Sequence, residues 1–223
     1  MFEPDLRRSV RLRIYLVRHG ETEWNATDRM QGRSDVPLSP RGVLQSKAVA
    51  RRLRDRRIDA VYSSDLVRAR DTARIIAEPH GLSVFEEPLL AETSLGEWEG
   101  LTEADIIAAG KGEALRQYRA DGVRYRPPGS EPLETVAERM LQALARIAER
   151  HTSGTILIVG HGGSLRVLFC HAIGVPAVPY MRGFRLANAS LSLIEYGPHR
   201  GSIHFLNDTC HLATLDEDGG TDR

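Results

Sequence analysis

The sequence predicts an α/β fold: a three-layer α/β/α sandwich around a mostly parallel central sheet, with one antiparallel edge strand. Three observations carry this. Apolar β-type runs alternate along the chain with segments of helical periodicity, the order that builds a parallel sheet from βα units. The runs Ile14–Val17 and Ile156–Gly160 are almost wholly apolar, as strands covered on both faces are. A closing pair of runs, 189–196 and 201–206, is split by a turn around Gly197-Pro198, which suits an antiparallel edge.

Each element has its local cause. After the strand at Ile14–Val17, Ser39-Pro40 supplies an N-cap and an N1 proline for a helix to about Asp55, with Val43, Ala50 and Leu53 on one stripe. Asp59–Ser63 reads as the second strand. Asp65 can cap a helix to about Glu78, stopped by Pro79-His80-Gly81. Ser83–Glu86 is a weak third strand. Thr102 opens a short helix and a second spans Glu113–Ala120, followed by a Pro/Gly loop over 124–132. Leu133, Val136, Met140, Leu144 and Ile147 step by three or four residues and define the clearest helix. The strand 155–160 and a helix from Gly163 to about Ile173 form the last βα unit. The chain is expected to be one domain, 1–223, with 93–131 as a helical cap insertion. The acidic, polar stretch 213–223 reads as disordered.

Composition removes several function classes. The 223 residues carry 30 basic and 30 acidic side chains, so no net field favours nucleic acid or a membrane surface. No run approaches membrane-spanning length. Arg7-Arg8 leads directly into a strand instead of an apolar export segment. Cys170 and Cys210 have neither metal spacing nor a disulfide framework. Together these predict a cytoplasmic protein.

The chemistry-bearing residues lie just past the strands, where the carboxyl ends of a parallel sheet gather ligands. His19 follows the first strand and His161 the strand 155–160. A histidine at a strand end is by default a packed side chain, but Arg18 beside His19 suggests a nucleophile in an anion pocket. In "SSDLVRARDTA" (63–73), Arg68 and Thr72 share a helix face, while Arg70 points about 200° away, toward surface pairing. Ester cleavage needs a proton for the leaving oxygen. Among Glu92, Glu97 and Glu99, Glu92 follows an apolar stretch and is slightly favoured as a desolvated acid of raised pKa; the other two look more exposed.

The strings "RHGETEWN", "SSDLVRARDTA", "ETSLGEWEG" and "GHGG", in this order, resemble the histidine phosphatase (phosphoglycerate mutase-like) superfamily, from about Arg13 to "LNDTCHL" at 206–212. The resemblance implies a phosphohistidine intermediate on His19. It implies a phosphate-binding tetrad completed by Arg18, Arg68 and a protonated His161, and Glu92 as general acid and later base. Thr22, Asn25, Gln31, Gly32 and the Gly162 backbone would line the same phosphate pocket. No cofactor is implied, and no metal: His199, His204 and His211 fit no ligand spacing.

Within the superfamily, cofactor-dependent mutases resemble "ERHYG" around the acid, whereas this chain has Glu92-Thr93-Ser94-Leu95-Gly96, closer to the phosphatase branch. The reading is therefore a phosphatase of small phosphate monoesters; a mutase and a non-catalytic phosphate-binding module are the alternatives. Gly129-Ser130-Glu131-Pro132 departs from the "GGES" loop of phosphatase relatives, and Pro132 removes a hydroxyl and a backbone donor. Trp98, Tyr118 and Tyr125 offer a stacking surface or pack within the cap, and Arg116, Arg119, Arg124 and Arg126 favour small polyanionic substrates. The apolar run 188–196 reads as an edge strand that pairs with a second copy into a homodimer, or as a covered edge.

Overall fold

The computed structural model describes residues 11–196, 201–213 and 215. Strand β1 (Arg11–Arg18) runs into a tight turn and the short helix α1 (Glu23–Ala26), capped by Thr22. Helix α2 (Pro40–Leu53) starts as its sequence demands: the Ser39 hydroxyl accepts the Gly42 N–H and Pro40 sits in the first turn. Strand β2 (Ala60–Ser63) leads to α3 (Val67–Ala77), whose N-cap is Leu66 and not Asp65. Asp65 stands one residue too early; the exposed first amide, Val67 N–H, goes instead to Asp35 Oδ1 at 2.7 Å. The left-handed Gly81 (φ 63°) ends the following 3₁₀ turn before β3 (Val84–Glu86).

The segment after β3 carries α4 (Glu103–Ala108), opened by a Thr102–Asp105 capping box, and α5 (Gly112–Ala120). Helix α6 (Leu133–Arg150) follows, then β4 (Ser153–Gly160), α7 (Arg166–Ile173), α8 (Ala177–Tyr180), β5 (Leu191–Tyr196) and β6 (Gly201–Asp208). Helix α7 begins three residues later than expected, because Gly163 and Ser164 turn their amides to Glu92 at 2.9 Å each.

The strands lie in the order β3-β2-β4-β1-β5-β6. The pairs β1/β4, β2/β4 and β2/β3 are parallel, while β5 runs antiparallel to β1 and β6 antiparallel to β5. The antiparallel pairing thus lies at one edge of the sheet, as expected, with β5 reversed against β1 and β6 forming the edge strand itself. An apolar run such as Leu191–Tyr196 needs cover on both sides. The edge falls to β6, whose side chains are partly or largely exposed. This pairing also takes away the expected homodimer edge at 188–196, since β5 already has two neighbours.

Two apolar layers sandwich the sheet. Leu12, Ile14 and Leu16 of β1 face α6 and α7, while Tyr15 and Val17 face α2 and α3, so strand alternation splits an unbroken run between two cores. A third, smaller cluster of Trp98, Ile106 and Leu115 stands apart within segment 93–131. No helix among the described residues is long and apolar enough to cross a membrane. Cys170 is buried and Cys210 exposed, and both are free. Of the stretch 213–223, residues 214 and 216–223 lie outside the described residues, as does Arg7-Arg8.

Candidate active site

Register sets the site. In the parallel β1/β4 pair Arg18 stands opposite Gly160, and the His19 N–H donates to Gly160 O at 3.0 Å. The next residue on each strand is a histidine, so the rings of His19 and His161 meet with centroids 5.2 Å apart. His19 Nδ1 lies 2.7 Å from Gly20 O. A carbonyl only accepts, so Nδ1 carries the hydrogen and the neutral ring keeps its Nε2 lone pair. Burial, then the charges of Arg18 and Arg68, hold the His19 pKa well below its ordinary value.

His161 is fully buried, and neither ring nitrogen has a hydrogen-bond partner among the described residues. Burial, followed by Arg68, His19 and Arg18, presses its pKa well below 6.5. This direction runs against the protonated His161 expected for the site. A phosphate dianion beside it would supply the opposite charge that the expectation assumed.

His19 lines a cavity of about 260 Å³ with Arg18 and Arg68, whereas His161, fully buried against the His19 ring, is not among the lining residues. Arg68, fully buried, is held by Ser34 O at 2.7 Å and Gly32 O at 2.8 Å, and its Nε is unpartnered. Arg18 Nη1 donates to Leu186 O at 2.7 Å, and its Nε too has no partner. Desolvation, partly offset by Glu92, brings Arg18 down to about 10, so it stays cationic. Gly32 must be glycine: its φ is +53°, and a Cβ there would stand 2.1 Å from Glu99 Oε1.

Asn25, Gln31 and Gly162 line the cavity as expected, with Gln31 Oε1 unpartnered. Thr22 is placed differently. It is fully buried, and its hydroxyl engages Asn25 in the α1 capping box, so it orients Asn25 instead of lining the cavity.

Glu92 faces the same cavity, its carboxylate fixed by three amides: Thr93 and Ser164 N–H on Oε1, and Gly163 N–H on Oε2. Glu97 is exposed and pairs with Lys111. Glu99 is a brace, contrary to the expectation of exposure. Burial pushes its carboxyl up, but hydrogen bonds from Arg33 N–H, Leu95 N–H, Ser34 and Ser94 outweigh this and leave it below the ordinary value.

Over residues 14–209 the chain matches the family described as the histidine phosphatase superfamily, branch 1. It belongs to that superfamily. The relative named "Probable phosphoglycerate mutase GpmB" in Yersinia pestis is 38% identical over 214 residues, covering 92% of this chain and 98% of the relative. The alpha-ribazole phosphatase of Shigella flexneri is similar in structure, with TM-score 0.79 and 31% identity over 88% of this chain and 96% of that one. A mycobacterial glucosyl-3-phosphoglycerate phosphatase has TM-score 0.79 and 31% identity, over 89% of this chain and 100% of that one.

In this histidine phosphatase superfamily member the cavity is also bordered by residues outside the motifs. Arg126, Arg166, Arg182 and Tyr118 line the cavity. Of the four cap arginines expected to make the site basic, only Arg126 reaches it: Arg116 pairs with Glu113, Arg119 with Glu103, and Arg124 stacks on Tyr125. Arg70 pairs with Glu86, as its face predicted. Trp98 is core and Tyr125 is exposed, leaving Tyr118 as the aromatic wall. Arg139, on the buried face of α6, donates to Leu89 O, Ala91 O and Glu92 O and pairs with Glu131. An arginine three residues after Val136 and four before Ala143 was the available signal.

Glu131 thus has a structural task in the departing loop, whereas Pro132 stands at the α6 N-cap with no side-chain bond. Among the described residues no three His, Cys, Asp or Glu side chains are grouped to hold a metal ion. His204 pairs with Glu195 and His211 contacts Ala189 O, both at 3.0 Å, while His199 lies outside the described residues.

Proposed function

We propose that the chain is a phosphomonoesterase that hydrolyses small phosphorylated metabolites through a phosphohistidine on His19, with side chains alone supplying the positive charge. The observation that carries this is the His19 Nδ1–H···O=C bond to Gly20, which leaves Nε2 as a neutral nucleophile facing two arginines. In the first step Nε2 attacks phosphorus, the P–O bond to the alcohol breaks, and a proton on Glu92 passes to the leaving oxygen. In the second, the Glu92 carboxylate takes a proton from water, the water oxygen attacks phosphorus, and the P–N bond electrons return to Nε2. Arg18, Arg68, Asn25 and His161 hold the phosphoryl oxygens. Gln31, Gly32 and Gly162 shape the pocket, and Thr22 acts through Asn25. Phosphoryl transfer asks for little beyond such positioning and charge.

A mutase is the second reading, favoured by the name of the 38%-identical relative. The phosphatase names of the structural relatives, and Thr93-Ser94-Leu95 where mutases resemble "RHY", favour hydrolysis. The test is p-nitrophenyl phosphate hydrolysis with excess chelator, comparing wild type and His19→Ala. Chelator-resistant turnover that vanishes in the variant is expected. Turnover surviving in His19→Ala would overturn the nucleophile. Isomerisation of 3-phosphoglycerate without release of inorganic phosphate would favour the mutase.

A further inference from the structure

Four arginines that line the cavity are not used by the chemistry above; Arg29 is already engaged by Asp105 at 3.4 Å and Gly100 O at 2.7 Å, which leaves three. Arg126 comes from the loop after α5, Arg166 from the first residue of α7, and Arg182 from the turn Met181–Gly183. Chain segments far apart in sequence thus deliver three guanidinium groups to one wall. Arg182 lies over the Tyr118 ring, 4.9 Å from its centroid, and fills the space beside Gly122, where a Cβ would stand 2.0 Å from its Nη1. Arg126 donates weakly to Glu131 O at 3.3 Å, while the buried Nε atoms of Arg126 and Arg166 have no partner.

The charge balance is one-sided. Among the described residues none of the three has a carboxylate ion-pair partner, although Arg33 and Arg139 nearby share Glu131. The sole acidic side chain lining the cavity is Glu92, already held by three amides. Desolvated like charges raise one another's energy unless an anion joins them. Burial is the first cause of the lowered proton affinity of both Arg126 and Arg166; Arg182 lowers it further, while Tyr118 and Glu92, and for Arg126 also Glu131, oppose the shift without cancelling it. The scissile phosphate, seated on His19, Arg18 and Arg68, leaves this wall unmet.

We propose that Arg126, Arg166 and Arg182 form a second anion subsite, so that the substrate is a phosphate monoester whose alcohol carries a further anionic group, a carboxylate or a second phosphate. The geometry of the phosphate end rests on the phosphomonoesterase reading; the subsite itself does not. Tyr118 sets its apolar side, and guanidinium forks suit either planar carboxylate or phosphate oxygens.

The test is calorimetric binding to His19→Ala, which removes the proposed nucleophile. The probes are 3-phosphoglycerate, 1,3-propanediol bisphosphate and glycerol 3-phosphate. The first two are expected to bind about tenfold or more tightly than the third, as one extra charge-assisted contact set allows. Adding Arg166→Met and Arg182→Met should bring that ratio to within about twofold of unity; Arg126→Gln serves if the double change fails to fold. A preference for one of the two anionic probes tells carboxylate from phosphate. Equal binding of all three probes to His19→Ala, or a ratio that survives the arginine changes, overturns the subsite. Selective binding without any wild-type turnover of p-nitrophenyl phosphate would sink the phosphatase reading and leave the subsite standing.

Discussion

Replacing Arg139 with methionine removes the brace behind Glu92, and its cost follows from the contacts. Both partners of the Arg139–Glu131 pair are nearly buried, at 8% and 10% side-chain exposure. The guanidinium donates to Leu89 O at 2.7 Å, Ala91 O at 2.6 Å and Glu92 O at 3.1 Å, and to both Glu131 oxygens at 2.8 and 3.0 Å. Breaking a buried pair from one side costs about 3–5 kcal/mol. Arg33 still holds Glu131 Oε1 at 2.9 Å and Glu92 O at 3.2 Å, which places Arg139→Met toward the lower end, about 3 kcal/mol. Urea unfolding of wild type, Arg139→Met, Glu131→Gln and the double variant should give a double-variant loss smaller than the sum of the singles.

The pH dependence adds an independent check. Burial raises the Glu131 carboxyl, but the Arg139 hydrogen bond and charge lower it further, leaving it below its ordinary 4.5. Such a depressed acid contributes stability above 4.5 that is lost as pH falls through its folded value. Arg139→Met gives up the Arg139 share of that contribution and keeps what Arg33 and Ser94 supply, so its deficit against wild type should shrink below pH 4.5. Since Arg139 holds the Glu92 main chain, kcat should fall more than KM changes. A deficit under about 1 kcal/mol that is flat with pH, with kcat within about twofold of wild type, would refute the reasoning.

Glu92→Gln should lower phosphorylation of His19 by alkyl phosphates by about 10²–10⁴-fold, and by p-nitrophenyl phosphate much less, because nitrophenolate leaves without a proton; pre-steady-state bursts read this, and equal losses would contradict the acid role. Gly163→Ala would bring a Cβ to 2.5 Å from Glu92 Oε1, so it should displace the carboxylate and lower kcat while the thermal midpoint moves little; intact kcat would contradict this. His19 and His161 are neutral when folded, whereas their unfolded forms take protons below 6.5. Stability should therefore fall below pH 6.5 by up to about 1.4 kcal/mol per pH unit per histidine, until each folded value is reached. His161→Gln should reduce that slope in urea melts at pH 7.5 and 5.5, the remainder coming from His19 and from the partly buried His211; an unchanged slope would refute the assignment.

Local chemistry made much of this molecule readable in advance. Ser39-Pro40, Thr102 and Gly81 act through neighbours a few residues away, so helix boundaries at those points followed from the chain itself. Arg18, His19, Arg68 and His161 could be picked out because they sit in motifs of fixed order: the histidines just beyond β1 and β4, Arg18 at the end of β1 and Arg68 in the first turn of α3. Residues whose meaning depends on distant partners were not. Thr22 looked like a pocket residue until its hydroxyl was found on Asn25, and Glu99 looked like a surface acid until Arg33, Ser34 and Leu95 surrounded it. His161 misled for an electrostatic reason: its charge state depends on burial and on two arginines far away in sequence. The place of β5 was equally non-local, since only pairing on both sides shows that it is interior.

Trp98, Ile106 and Leu115 form a small hydrophobic nucleus of their own, separate from both layers of the sheet. Three buried side chains contribute about 1.5–3 kcal/mol each, far less than either sheet layer holds. The region around them is thus a sub-global unfolding unit that opens at lower cost than the strands carrying the histidines. Under the phosphomonoesterase reading, its loosening would alter the cavity wall contributed by Tyr118 and Arg126 and leave the β1–β4 register unchanged. Solvent exchange and product escape can proceed on one clock while the β1–β4 pairing keeps another, much slower one.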